Sequence, residues 1–170
     1  ASIPAPEGYP FPSPLAYKAE AGALYRNLGN GKFEDVSKTV LEHVAWSGDA
    51  TAFDADGDGW QDLYVPNMQG DNRFYRNDGG KRFVEETAAH FAKTPWGAMG
   101  VKAFDYENDG RPDLMLTDMH SDMSIEVGVA DEKKKANMQW TEQMLQGGAN
   151  NVFGNALYHN LGEGRFEEVS

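Results

Sequence analysis

Short runs of alternating apolar and polar residues recur along the chain, and each run is followed by glycine, asparagine or aspartate. Three segments of this kind are closely similar to one another: LYRNLGNGKFEDVS at 24–37, FYRNDGGKRFVEET at 74–87 and LYHNLGEGRFEEVS at 157–170. Such alternation is typical of half-buried strands, and glycine-rich turns opened by asparagine are typical of β-hairpins. Each segment therefore predicts two antiparallel strands.

These hairpins recur with a regular spacing. Asn27 and Asn77 are 50 residues apart, and a second pair of β-prone runs lies between them around an acidic loop. A period near 50 residues with about four short strands per repeat is typical of β-propeller blades. We therefore predict an all-β fold of propeller blades, each made of four antiparallel strands.

The chain has room for about two and a half such blades. Residues 21–37 supply half a blade, residues 46–87 a full blade and residues 96–170 a second full blade, after an extended proline-rich leader at 1–20. Closed propellers need typically 4–8 blades, so we expect the chain to be part of a longer polypeptide or to be completed by neighbouring chains. The predicted strands of the two full blades are Ala50–Phe53, Asp62–Pro66, Arg73–Asn77 and Arg82–Glu86, followed by Val101–Phe104, Asp113–Thr117, Ala156–Asn160 and Arg165–Val169.

The second full blade carries an insertion at 118–154, where the first has only the short connection 67–71. The pattern VADEKKKANMQWTEQMLQGG within it predicts a helix that two glycines end. Because antiparallel strands alternate in direction, we expect the acidic loops and the Asn-Gly turns to share one face of the fold. The insertion and the connections that contain Trp46 and Trp96 then share the opposite face.

The acidic loop DADGDGWQD at 54–62 has the spacing of a calcium site. Asp54, Asp56 and Asp58 alternate along the loop, and Gly59 permits a sharp turn. Ca²⁺ prefers six to eight oxygen ligands, and this half of the loop is similar to that of an EF-hand. The bidentate glutamate of an EF-hand is replaced by Val65, and β-prone runs flank the loop. We therefore predict a β-hairpin tip closed by a metal ion.

A second loop, DYENDGRPD at 105–113, repeats the pattern with glutamate at one position. A single acidic loop is also compatible with a solvated turn, but two copies in register favour a pair of Ca²⁺ sites. The predicted ligands are Asp54, Asp56, Asp58, the carbonyl of Trp60 and Asp62 in the first loop, and Asp105, Glu107, Asp109, the carbonyl of Arg111 and Asp113 in the second.

Composition narrows the classes of partner. The net charge of −12 argues against nucleic acid and anionic membrane surfaces. The absence of cysteine excludes disulfides and thiolate chemistry. No apolar run approaches the roughly 18 residues of a membrane span, and we expect any signal peptide to have been removed or to lie outside this sequence.

The twin acidic loops and the L-Y-R-N…G-x-F-x-x-V repeat resemble the FG-GAP/VCBS repeat family, whose best-known relatives are the integrin α-subunit propellers. WGAMGVKAFDYENDGRPDLMLTDMHSDM at 96–123 and FGNALYHNLGEGRFEEVS at 153–170 are most similar to the bacterial ASPIC/UnbV and cartilage-acidic-protein-like group. The resemblance implies a seven-bladed propeller in the intact protein and an extracellular, periplasmic or cell-surface location. It also implies that the ten positions given above bind calcium.

A second cluster of polar residues opens the insertion. Asp118, His120 and Asp122 alternate in TDMHSDMS. They are compatible with a further metal or substrate site, but the equivalent connection of the first blade also holds methionine and aspartate, which favours a polar loop. His43, His90 and His159 have no shared spacing and are interpreted as structural or solvated, whereas Trp46 and Trp96 recur in register, which indicates packing between blades.

Two functions of different class fit these features. The first is a calcium-binding module of an exported protein that binds or scaffolds a protein or glycan partner, with the insertion and its Trp140 as the recognition element. The alternative is part of an extracellular polysaccharide-active enzyme, a lyase or hydrolase, with its site on the insertion face. No nucleophile, base and orienting group are recognisable together in the sequence, so the binding module is favoured.

Overall fold

The computed structural model of the protein describes residues 19–41, 45–68, 70–95, 97–118, 151–152 and 154–170. These residues form mainly strands, together with two one-turn helices, α1 (Ser37–Val40) and α2 (Thr87–His90). The strands are β1 (Tyr25–Gly29), β2 (Lys32–Asp35), β3 (Thr51–Phe53), β4 (Asp62–Val65), β5 (Arg73–Asn77), β6 (Phe83–Glu85), β7 (Thr94–Pro95), β8 (Ala98–Phe104), β9 (Asp113–Asp118), β10 (Asn151–Val152), β11 (Ala156–Gly162) and β12 (Arg165–Glu168).

Two antiparallel sheets of four strands form the body of the fold. The first has the order β3-β4-β5-β6 and the second the order β8-β9-β11-β12, so that the strands of each sheet follow one another in chain order, with β10 alone lying between β9 and β11 in sequence. The β1–β2 hairpin forms a separate sheet. The predicted strand pairs are confirmed. Strand β8 begins at Ala98 rather than at Val101, because Ala98 pairs with Asp118 across an irregularity that precedes Gly100.

Aromatic side chains fill the core between the two four-stranded sheets. Phe53 of the first sheet lies edge-on to Phe166 of the second, with ring centroids 6.1 Å apart. Phe91, which follows α2, stacks on Phe166 at 4.6 Å and contacts the ring of Tyr158 at 5.2 Å. Burying one such side chain is worth about 1.5–3 kcal/mol, so these contacts stabilise the pairing of the sheets.

The two sheets meet through unlike faces. Phe53 and Phe104 precede the first aspartate of their acidic loops, so they occupy equivalent positions. Phe53 is 4% exposed and packs against Phe166, whereas Phe104 is 41% exposed. Phe83, the residue of the first sheet that is equivalent to Phe166, lies on the opposite face from Phe53, as the strand register requires.

Three short features were not predicted from the sequence, namely α1, α2 and one pair of parallel strands. In α1 and α2, Ser37 and Thr87 accept the backbone N–H of Leu24 and Phe74, each at 2.8 Å, which turns the chain back after each hairpin. The sequence feature that could have indicated these two helices is the Ser or Thr at the end of each repeated segment. The third missed element is the parallel pairing of β7 with β10, which joins two-residue strands far apart in sequence.

Some predicted elements lie outside the described residues. They are the leader up to residue 18, the helix in the insertion, and the side chains of His43, Trp96, His120, Asp122 and Trp140. Within the described ranges, no helix has the length and apolar content needed to cross a bilayer.

Candidate metal centre

The first acidic loop connects β3 to β4 and brings three carboxylates together. One oxygen from each of Asp54, Asp56 and Asp58 lies within 4.8 Å of the others. Ca²⁺ binds oxygen ligands at about 2.3–2.6 Å, so oxygens with this separation can contact one ion at the same time. The alternation predicted from the sequence therefore produces a convergent set of hard donors.

The backbone of the loop wraps around Asp54. The carboxylate of Asp54 accepts the N–H of Gly57 at 2.9 Å, of Asp58 at 3.1 Å and of Gly59 at 2.9 Å. Gly57 and Gly59 have φ values of +80° and +88°, which a residue with a Cβ rarely adopts. The two glycines therefore allow the tight turn that places the three aspartates side by side.

Cationic side chains in the described part of the chain stay outside ion-pair distance of this cluster, although Arg76 interacts with Asp56 at longer range. No lysine, arginine or histidine there forms an ion pair with Asp54, Asp56 or Asp58. Three like charges at this separation repel one another, and a divalent cation removes that repulsion. The donor set and its uncompensated charge therefore fit a hard divalent cation.

Asp62 ends the first loop and is 1% exposed. One of its carboxylate oxygens accepts the N–H of Ala55 at 2.9 Å and the other accepts the N–H of Asn77 at 2.8 Å. Burial raises the pKa of Asp62, while these two hydrogen bonds lower it. Asp62 thus anchors the loop to β5, and each oxygen keeps a lone pair. Its role as a ligand stays a prediction.

Trp60, whose carbonyl is another predicted ligand, holds the loop against the neighbouring turn. Its indole is half-exposed and lies over Gly80 in the β5–β6 turn. A Cβ at Gly80 would collide with the indole ring. The glycine of the turn therefore permits the close approach between the acidic loop and the hairpin of the same sheet.

The second loop has the same backbone frame. The carboxylate of Asp105 accepts the N–H of Gly110 at 2.8 Å and of Asp109 at 3.0 Å. These bonds, with that from Gly110 foremost, lower the pKa of Asp105. Asn108 stands where the first loop has Gly57 and has a φ of +59°, a conformation that asparagine tolerates better than most residues.

The second loop differs because an arginine and a histidine face its acids. The guanidinium of Arg111 pairs with Asp109. Nδ1 of His159 lies 3.6 Å from a carboxylate oxygen of Glu107 and 3.3 Å from one of Asp113. Among the described residues, only Asp54, Asp56 and Asp58 form a three-carboxylate cluster. The two loops therefore share a frame but not a charge environment.

The side-chain roles of Arg111 and His159 were missed from the sequence, where Arg111 was assigned only a carbonyl. A comparison of equivalent positions in the two repeats could have indicated these roles. Arg111 stands where the first loop has Trp60, and His159 stands where the first sheet has Arg76. The first substitution brings a cation to the second loop, and the second replaces an arginine that pairs with Glu86 by a histidine that lies beside Glu107.

The two acidic loops lie on the same face of the fold. A cavity of about 300 Å³ is lined by Asp54 and Asp56 of the first loop, by Arg111 of the second, by Asn160 near the end of β11 and by Glu163 of the β11–β12 turn. This arrangement confirms the expectation that the acidic loops and the asparagine turn share one face.

The remaining described candidates have structural contacts. Asp118 accepts the N–H of Gly97 at 2.8 Å, which agrees with a polar loop start. His90 joins the two sheets, because its Nδ1 lies 2.5 Å from the carbonyl oxygen of Gly164 and its Nε2 lies 3.2 Å from Glu86. The interpretation of His90 as structural is confirmed.

Comparison with known protein families shows a repeat family that matches two regions of the chain. The family described as FG-GAP-like repeat matches residues 15–65 and, a second time, residues 54–116. The two matches together span more than half of the chain and include both acidic loops. No curated protein sequence matches the chain.

Proposed function

Because the chain belongs to the FG-GAP-like repeat family, we propose that it is a calcium-binding module and that its first acidic loop is the principal site. The observation that carries the proposal is the convergence of one oxygen each from Asp54, Asp56 and Asp58 within 4.8 Å. The carbonyl of Trp60 and the free lone pairs of Asp62 supply further oxygen donors to the same loop.

The second loop is proposed as a weaker site for Ca²⁺. Its backbone frame matches that of the first, but a cation entering it competes with Arg111 for Asp109 and with His159 for Glu107. The proposed ligands of this site are Asp105, Glu107, Asp109, the carbonyl of Arg111 and Asp113.

The kind of donor favours Ca²⁺ over Mg²⁺. Both loops offer several carboxylates and a carbonyl, and Ca²⁺ accepts six to eight such oxygens in a flexible arrangement. Mg²⁺ demands octahedral geometry and keeps several waters. When bound, the ion neutralises the crowded aspartates, and it stabilises the folded loop because it binds the unfolded chain poorly.

The architecture that we propose is a stack of propeller blades. The internal repeat, the two sheets of identical strand order and their packing through unlike faces support it. The blades comprise residues 21–37, 46–87 and 96–170, with the insertion at 118–154 in the last. A seven-bladed ring and membership of the ASPIC/UnbV-like group are part of the same proposal.

The module is proposed to act in an exported protein, in an extracellular, periplasmic or cell-surface location. Calcium fixes the loops on one face, which makes the blades a rigid support. Long connections on rigid supports often carry recognition, so the insertion at 118–154 is the proposed contact to a protein or glycan partner.

Calorimetric titration of chelator-treated protein with Ca²⁺ tests the proposal. Two sites are expected, and Asp58→Asn should abolish the tighter one. Asp71→Asn, which removes an exposed acid outside both loops, is the matched control and should leave the titration unchanged. Absence of binding, equal affinity for Mg²⁺, or an unaltered titration in Asp58→Asn would overturn the proposal.

A further inference from the structure

Asn160 lies buried between the two acidic loops and is 1% exposed. Its side-chain amide donates to the carbonyl oxygen of Ala55 in the first loop at 3.0 Å and to that of Pro112 in the second at 3.0 Å. Its side-chain oxygen accepts the N–H of Gly162 at 2.9 Å. Both amide hydrogens are therefore used, one for each loop.

The backbone of Asn160 is also bound to the second loop. Its N–H donates to a carboxylate oxygen of Asp113 at 2.8 Å, and its carbonyl accepts Nε of Arg111 at 2.9 Å. Every polar atom of Asn160 thus has a partner. Since a buried polar group is costly to leave unpaired, a displacement of either loop is opposed through this residue.

Asn77 is the equivalent residue of the first sheet and provides an internal comparison. Its N–H donates to Asp62 at 2.8 Å, its side-chain amide to the carbonyl of Gln61 at 2.9 Å, and its side-chain oxygen accepts the N–H of Gly80 at 2.8 Å. These partners all belong to its own repeat. The bond from Asn160 to the loop of the other sheet has no counterpart at Asn77.

We propose that Asn160 couples the two acidic loops, so that binding of a cation at one raises the affinity of the other. Ala55 lies between Asp54 and Asp56, so the position of its carbonyl bears on the separation of two proposed ligands. Pro112 lies between Arg111 and Asp113, which are both proposed ligands in the second loop. Asn160 is thus a positioning residue, and the inference rests on the proposed function of the loops.

Coupling of this kind is reciprocal, because each site must change the affinity of the other by the same factor. We expect roughly a fivefold effect, at the lower end of typical couplings. The coupling is transmitted through the side chain of Asn160 and the carbonyls of Ala55 and Pro112, so it requires no large movement of the sheets.

A double-mutant cycle tests the coupling. The affinity of the first loop for Ca²⁺ is measured by calorimetry with and without Asp105→Asn, which disables the second loop. In the parent protein and in Asn77→Ala, Asp105→Asn should weaken the first site roughly fivefold. In Asn160→Ala it should have no effect. A purely structural role of Asn160 would lower stability but leave this dependence in place.

A metal-free measurement separates the inference from the proposed function. Hydrogen exchange at the amides of Gly57 and Gly59 should be faster in Asn160→Ala without any calcium. If Asn160→Ala does not fold, Asn160→Ser replaces it, since a single hydroxyl cannot donate to two carbonyls. If the parent binds no Ca²⁺, the proposed function and the coupling of cation sites are both overturned. The exchange result then still shows whether Asn160 stabilises the first loop. If the parent binds Ca²⁺ but Asp105→Asn never changes the first site, or if the dependence survives in Asn160→Ala, only the coupling is overturned.

Discussion

Asp62 accepts the backbone N–H of Asn77 at 2.8 Å, and the same relationship recurs in the second sheet between Asp113 and Asn160, also at 2.8 Å. In each repeat the last acid of the loop is thereby joined to the strand that precedes the asparagine turn. This acid belongs to the framework of the fold as much as to the candidate metal centre, and its removal should affect the protein even without calcium.

Asp62→Ala should destabilise the metal-free protein. The substitution leaves the N–H groups of Ala55 and Asn77 without their acceptor in a buried position, which costs about 1–3 kcal/mol for each bond to a charged group. Urea denaturation in chelator should therefore give a free energy of unfolding lower by roughly 2–6 kcal/mol. An unchanged midpoint in chelator would contradict the anchoring role.

Asp58→Ala should behave in the opposite way. Asp58 is exposed and contributes a carboxylate to the cluster, so its loss removes repulsion in chelator and a ligand in calcium. A ligand present at 100 times its Kd stabilises by about 2.7 kcal/mol, and most of this gain should vanish. The measurement is the Tm of mutant and parent with and without Ca²⁺, with Asp71→Asn as control. Equal Tm differences in both conditions would exclude Asp58 as a ligand.

Arg111→Gln should strengthen the second calcium site, because it frees Asp109 from its ion pair. An exposed pair is worth up to about 1 kcal/mol, so a gain of up to about fivefold in affinity is expected. Lys102→Gln, which removes an exposed cation from β8, is the charge-matched control and should change the affinity little. A weaker second site in Arg111→Gln alone would show that the arginine supports the loop rather than competing with the ion.

The ion pair of Arg76 with Glu86 predicts a pH dependence. The hydrogen bond from Arg76, assisted by that from His90, lowers the pKa of Glu86 below the ordinary value of 4.5. A lowered pKa in the folded state gives stability that is fully present above the ordinary value and is lost as the pH falls below it.

Glu86→Gln tests this dependence. At pH 7 the substitution should lower the free energy of unfolding by about 0.5–1 kcal/mol, and the difference from the parent should fade as the pH falls below about 4.5. Denaturation curves of both proteins between pH 3 and pH 7 check this. A difference that stays constant with pH would assign the effect to packing instead of charge.

Shortening the insertion tests its proposed role in recognition. The variant replaces residues 119–150 by a glycine–serine linker and keeps Asp118 and β10, which pairs with β7. It should fold and bind Ca²⁺ like the parent but lose the protein or glycan partner. The partner is identified by cross-linking with the chain that retains the insertion and confirmed with purified material. Retained binding, or failure of the variant to fold, would contradict a dedicated recognition role.

The strands could be predicted from the sequence because their signals are local. The alternation of apolar and polar residues indicates which side chains share a face of the sheet, and asparagine and glycine indicate the turns. The predicted strand Arg73–Asn77 therefore has the observed bounds. The pairing of β7 with β10 could not be predicted, since two strands of two residues carry no period. The turn through Thr87 depends on a hydroxyl that accepts from a strand thirteen residues earlier.

In the candidate site, too, local features could be predicted from the sequence, whereas contacts between distant residues could not. Asp54, Asp56 and Asp58 converge because alternate positions of one turn point the same way, and spacing alone predicts that. The contact between Asn160 and Ala55 joins residues 105 positions apart and follows from how the sheets pack. Whether Arg111 faces Asp109 or solvent is likewise a matter of tertiary arrangement, which spacing does not encode.

The packing of unlike faces has a consequence for the history of such chains. The face of one sheet that bears Phe53 packs against the face of the other that bears Phe166. If a repeat is duplicated or deleted, the sheets that become neighbours can therefore pack through the same two faces. Unequal recombination between copies of the gene segment can therefore change the number of sheets without a new interface having to evolve. Loops such as the two acidic ones are then free to diverge separately, one keeping an open cluster of carboxylates and the other acquiring an arginine.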